Sequence, residues 1–90
     1  METEHDPDKE RINREKHGIG FAGASAIFEA YRIDVEDERE DYGETRYVTL
    51  GRIGGQIVVC VWTPRGVKAR LISMRKADKD EREIYNLYRP

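Results

Sequence analysis

The sequence predicts an α+β fold with two N-terminal helices, an antiparallel sheet of about four strands and a closing C-terminal helix. Three observations carry that prediction. Arg46 to Lys76 reads as three consecutive strands joined by two tight turns. A capped, charged helical segment opens at Asp6-Pro7, and a second capping signature, Asp78-Lys79-Asp80-Glu81, opens the last helix. Between the first helix and the strands, Phe21, Ala24, Ile27 and Phe28 recur at helical spacing.

Taken in order, Asp6 caps the first helix, Pro7 suits its first position and Asp8 complements the positive end of its dipole. The helix should run to His17 and stop at Gly18. Ile12 is its main apolar residue, so it should lie on the surface with one edge docked. Phe21 to Ala30 reads as a short second helix, with small residues at Ala22, Gly23, Ala24 and Ala26 permitting close packing. Tyr31 to Val35 alternates as an edge strand. The following stretch to Tyr42-Gly43 reads as a solvated loop. From Asp34 to Glu44 it carries seven acids against one arginine.

In the next strand Arg46, Val48 and Leu50 share one face, and Tyr47, Thr49 and Gly51 the other. Gly54-Gly55 marks a hairpin. Ile57 to Thr63, apolar and β-branched, should be the buried middle strand, with Trp62 buried on it. Pro64-Arg65-Gly66 turns the chain again. Strict alternation in the last strand puts Val67, Ala69 and Leu71 on one face and Lys68, Arg70 and Ile72 on the other. The final helix presents Ile84, Tyr85, Leu87 and Tyr88, a stripe expected to cover the sheet or a partner.

Ninety residues make one domain, 1–90. Hydrophobic and charged residues each make up 38%, and the apolar ones cluster periodically, which favours a small core under a wet surface over disorder. No apolar run spans a bilayer and no leader pattern is evident, so the expectation is a cytoplasmic protein without membrane attachment. Cys60 stands alone in the most apolar strand and reads as a small hydrophobe rather than a nucleophile. The net charge of −2 argues against general nucleic-acid binding, but it is segregated. Arg65, Lys68, Arg70, Arg75 and Lys76 fall in a stretch without an acid.

Cofactor chemistry has no motif here. One Cys with His5 and His17 far apart makes no metal cluster, and Gly18 and Gly20 follow a helix rather than precede one. Acid–base and electrostatic chemistry remain. Cleaving an RNA phosphodiester without metal needs a base for the 2′-hydroxyl, an acid for the leaving 5′-oxygen and cations for the phosphate charge. Imidazole is the side chain whose ordinary pKa suits such transfers near neutrality, which makes His17 the candidate; Glu44 is a second. Lys68, Arg70, Arg75 and Lys76 are candidate phosphate clamps. A helix-terminal His also serves as a cap, and Glu44 also pairs with Arg46; both alternatives stay open.

At these residues a family resemblance appears. Asp6-Pro7, Lys9, Asn13, Lys16-His17-Gly18-Ile19 and Phe21 form the opening motif. Gly43-Glu44 and Arg46-Tyr47 form the middle one. Arg70, Ile72-Ser73, Arg75-Lys76-Ala77, Glu81-Arg82 and Tyr85 form the last. Together, over nearly the whole chain, they resemble the BrnT-type toxins of prokaryotic type II toxin–antitoxin pairs. The resemblance implies a RelE-like fold and a metal-independent endoribonuclease that arrests translation without a cofactor. It implies a BrnA-type ribbon-helix-helix antitoxin as partner, operator DNA bound only through that antitoxin, and a heterotetramer of two toxins on an antitoxin dimer. The implied site residues are Lys16, His17, Glu44, Arg46, Arg70, Arg75 and Lys76, with Lys68 added from its place on the cationic strand. The chain departs from the family in His5, where an aromatic residue is usual, and in its net acidity. Two other readings fit the same residues: a non-catalytic module acting with its antitoxin as co-repressor, and a structural or ribosome-associated domain.

Overall fold

The computed structural model describes residues 1–90. Its elements run β1 (Thr3–His5), α1 (Pro7–His17), α2 (Ser25–Phe28), β2 (Ile33–Glu36), β3 (Tyr47–Ile53), β4 (Gln56–Arg65), β5 (Lys68–Lys76) and α3 (Lys79–Tyr88). The strands form one five-stranded sheet in the order β1-β5-β4-β3-β2. The fold is α+β as expected, but the sheet is mixed rather than antiparallel. β1 pairs parallel to β5, with Glu4 opposite Arg70, and the other pairings are antiparallel.

The apolar run of β4 makes it the central strand, paired with β3 from Gln56 to Trp62 and with β5 from Val58 to Arg65. It extends two residues past the expected end, so Pro64 lies in the strand and the turn falls at Gly66. Pro64 is tolerated there because β3 pairs only as far as Trp62, leaving no neighbour that needs its missing N–H.

Each sheet face has its own core. On one, Phe21, Ala24, Ile27 and Phe28 pack on Val58, Cys60, Trp62, Ala69, Leu71 and Met74. Trp62 is buried, and its Nε1–H donates to Thr49 Oγ1 at 2.7 Å. His5 meets Phe21 edge-on at 5.3 Å, so its imidazole packs as an aromatic ring here. Burial pushes the Cys60 thiol up to about 12, which keeps it protonated and inert. The predicted second helix shortens to Ser25–Phe28 because Gly23, at φ 79°, breaks the helical path, yet its apolar stripe docks as expected. Gly51 lets this layer approach, since a Cβ there would lie 2.5 Å from Ile27 Cγ2.

On the other face, Ile57, Val59, Ala77 and Tyr85 form a smaller cluster with Tyr31, Val48 and Leu50 against it. The α3 capping box forms as predicted, with Asp78 accepting from Glu81 N and Glu81 from Asp78 N. The stripe on that helix is narrower than expected. Only Tyr85 is buried; Ile84, Leu87 and Tyr88 are exposed. Since α3 seals only part of this face, the sheet beside it stays open.

Two details position the open area. A bulge in the β4–β5 ladder leaves Ile72 without a partner, since Trp62 pairs with Leu71 and Val61 with Ser73. The extra residue resets the alternation. Ala69, Leu71 and Met74 all point into the larger core, and Arg70, Ser73 and Arg75 share the opposite face. Strict alternation would have separated Arg70 from Arg75. The second detail is how α1 docks. Ile12 is half exposed, and the buried anchor is Asn13. Its Nδ2 donates to Met74 O (2.7 Å) and Ile19 O (2.8 Å), and its Oδ1 accepts from Met74 N (2.9 Å). The amide thus satisfies the outer edge of β5 beyond the reach of β1.

Candidate active site

The Asn13 anchor brings the C-terminal end of α1 beside β5. The helix stops there because Gly18 adopts φ 70°, and its N–H closes on Arg14 O. His17, the last helical residue, is half-buried and reaches the open sheet face. It lines a groove of about 220 Å³ together with Arg39, Val48, Val59, Val61, Ser73 and Arg75. The valines form an apolar floor, and the rim carries an imidazole, a hydroxyl and two guanidinium groups. No carboxylate is among the lining residues.

Arg75 is braced rather than free. Its Nη1 and Nη2 donate to Glu81 Oε1 and Oε2 at 2.7 and 2.8 Å, a two-pronged ion pair with the glutamate of the α3 capping box. Glu81 lifts the guanidinium further into its charged form, and Arg75 in turn holds Glu81 below the usual carboxylate range. Nη1 also donates to Lys76 O at 3.4 Å, so of the five N–H donors the Nε–H and one on Nη2 remain for a ligand.

A second hollow, of about 240 Å³, shares His17 and Ser73 and adds Lys9, Ile12, Asn13, Lys16 and Ile72. The two hollows adjoin at His17 and Ser73, so their lining residues form a track from Arg75 to Lys16.

The other predicted residues lie outside this track. Arg70 shares the sheet face but sits opposite Thr63, one row from Ser73 and roughly 7 Å along the strands. It pairs with Glu4 at 3.7 Å. Lys68 pairs with Glu2 at 3.8 Å, and Lys76 is exposed at the far end of β5. Glu44 and Arg46 pair with each other at 3.1 Å, with the Arg46 guanidinium 4.0 Å from the centre of the Tyr42 ring. They line a hollow on the 36–46 loop that adjoins the groove through Arg39.

Two groove residues were not singled out as site residues from the sequence, Arg39 and Ser73. Ser73 had a usable signal, its place between Arg70 and Arg75. Arg39 was hidden in the acidic run, which is not simply a solvated loop. Asp37 in that run is buried, with its side chain 2% exposed. It accepts from Arg39 Nε and Nη2 at 2.8 Å each, from Arg39 N at 3.2 Å and from Tyr42 OH at 3.1 Å. The Arg39 guanidinium foremost holds the Asp37 carboxyl far below the usual carboxylate range.

An α+β protein with an apolar-floored groove edged by an imidazole and fixed guanidinium groups is chemically suited to hold a polyanion beside a proton-transfer group. A family model described as ribonuclease toxin, BrnT, of type II toxin–antitoxin system matches residues 5–81, and the chain belongs to that family. Membership brings with it a protein antitoxin as partner. A search of curated proteins gave no match. No helix is long and apolar enough to cross a membrane.

Proposed function

We propose that the chain is an endoribonuclease toxin that cuts RNA without a metal ion, by attack of the 2′-hydroxyl on the adjacent phosphate, and so arrests translation. The observation that carries this reading is the convergence of His17 and Arg75 on one groove. The RNA phosphate lies against the Arg75 Nε–H and the Ser73 hydroxyl, with the ribose on the valine floor. The His17 imidazole takes the 2′-hydroxyl proton, the 2′-oxygen bonds to phosphorus and the bond to the 5′-oxygen breaks. The departing oxygen is protonated by the imidazolium so formed or by water. The products are a 2′,3′-cyclic phosphate and a free 5′-hydroxyl. Arg75 stabilises the charge that grows on the phosphoryl oxygens.

Lys16 holds the strand on one side of the scissile phosphate. Arg70, one row along the sheet, extends the cationic track on the other, with Lys68, Lys76 and the Arg46–Glu44 pair as outlying contacts. The carboxylates next to the groove, Asp37 and Glu81, are each engaged by a guanidinium, which fits a chemistry run by the imidazole and the arginines without a metal. A BrnA-type ribbon-helix-helix antitoxin neutralises the toxin in the cytoplasm by covering this face. Two toxins on an antitoxin dimer then reach operator DNA through the antitoxin alone.

The test is incubation of the purified chain with RNA in EDTA, followed by analysis of fragment ends. Fragments ending in 2′,3′-cyclic phosphate and beginning with 5′-hydroxyl are expected. Intact RNA, together with normal growth on induction, points instead to a non-catalytic co-repressor. Fragments with 5′-phosphate ends contradict the 2′-hydroxyl route.

A further inference from the structure

Arg39 is the groove cation to which the mechanism above gives no task. Its surroundings resemble a mount more than an incidental surface pair. The side chain is 75% exposed, yet two of its donors are fixed on Asp37, whose side chain is 2% exposed. Asp37 is itself held by the Arg39 backbone N–H and by Tyr42. A free surface arginine must be immobilised when it grips a ligand; this one is immobilised by the fold beforehand. A guanidinium carries five N–H donors, and Asp37 engages those on Nε and one on Nη2. Both donors on Nη1 and one on Nη2 remain. Neutralising a buried carboxylate explains why a cation follows Asp37, but not why that cation is presented at the rim of the groove opposite His17 and Arg75. The neighbouring Glu36, Glu38 and Glu40, which share a hollow with Arg39 on the loop side, oppose an anion there, so any grip comes from the fixed guanidinium itself and not from a basic field.

We propose that Arg39 is a phosphate-binding residue of this groove, carried on the 37–46 loop and held in position by Asp37. The proposal rests on the ribonuclease reading and adds a cation from the loop side to those on β5. An RNA strand is then gripped from both walls, by Arg75 beside His17 on the β5 side and by Arg39 on the loop side.

Binding of single-stranded 2′-O-methyl RNA, which cannot be cut by 2′-hydroxyl attack, separates this from a purely structural role. Affinity is measured by fluorescence anisotropy over a series of salt concentrations for the full chain, Arg39→Gln and Arg65→Gln. The Gln amide can still donate to Asp37, so the loop keeps an anchor while the charge is lost. Arg65→Gln removes the same charge from the exposed end of β4. Arg39→Gln is expected to bind roughly tenfold more weakly. Its log-affinity against log-salt slope should be shallower by about 0.7, the loss of one single-strand phosphate contact. Arg65→Gln should match the parent. If Arg39→Gln melts too low to assay, the Asp37→Ala/Arg39→Ala double variant, which leaves no buried charge unpaired, is read in the same way. Equal affinity and slope for the Arg39 and Arg65 variants overturns the proposal and leaves the ribonuclease reading standing. A parent chain that neither binds nor cuts RNA overturns both.

Discussion

Replacing His17 with alanine is expected to slow RNA cleavage by about 10²- to 10⁴-fold while leaving the melting temperature close to that of the parent chain. The rate loss is the usual contribution of a positioned general acid or base. It falls on His17 because the other polar side chains around the groove cannot substitute. Arg39 and Arg75 are fixed in their charged forms by carboxylate partners, and a serine hydroxyl is a poor base near neutrality. Stability should hold because the imidazole is half-buried and makes no hydrogen bond within the chain; substitutions at such positions fall within about 0.5 kcal/mol. Initial rates on an RNA oligonucleotide, with thermal melts as control, decide the matter. A variant that cuts at the parent rate removes His17 from the mechanism.

The largest stability effect is expected at Asn13. Alanine there deletes three hydrogen bonds and strands the Met74 N–H, the Met74 carbonyl and the Ile19 carbonyl. An orphaned buried polar group costs about 1–3 kcal/mol. Allowing for relaxation and water entry, the sum is roughly 3–5 kcal/mol, against a total stability of about 5–15 kcal/mol for a chain of this size. Each kcal/mol is worth roughly 4–8 °C here, so a drop of about 12–40 °C is expected in thermal melts. Asn13→Asp should be nearly as damaging despite its matching shape, because it turns an oxygen towards two carbonyls. A benign Asn13→Asp would mean that the amide does not anchor α1. Loosening that anchor also frees the end of α1 that carries His17, so cleavage should fall in these variants even where they remain folded.

What the sequence made readable follows local rules. The caps at Asp6 and Asp78, the stop at Gly18, the hairpin at Gly54-Gly55 and the apolar β4 each depend on a few neighbouring residues, and all form as expected. What escaped depends on distant partners. β1 is three residues, Thr3-Glu4-His5, too short and too polar for periodicity to register, and its parallel pairing is supplied by β5. The Ile72 bulge changes which cations share a face and leaves no mark in the composition. α1 looked weakly attached because only Ile12 is apolar, whereas its attachment is polar and runs through Asn13. Asp37 and Arg39 lay among acids whose bulk suggested solvent, and only the folded loop sets one of those acids apart. For the same reason, residue type and motif named His17 and the Arg70–Lys76 cations as one group, but not that Arg75 alone of those cations would line the groove with His17.

That meeting is most directly tested by a double-mutant cycle on cleavage rate, using His17→Ala, Arg75→Ala and the two combined. If both side chains act on one phosphate, the double variant should be little slower than the slower single variant, because losing either partner already removes the joint effect. Losses that multiply, each factor independent of the other, would place the two residues in separate tasks and contradict a shared site.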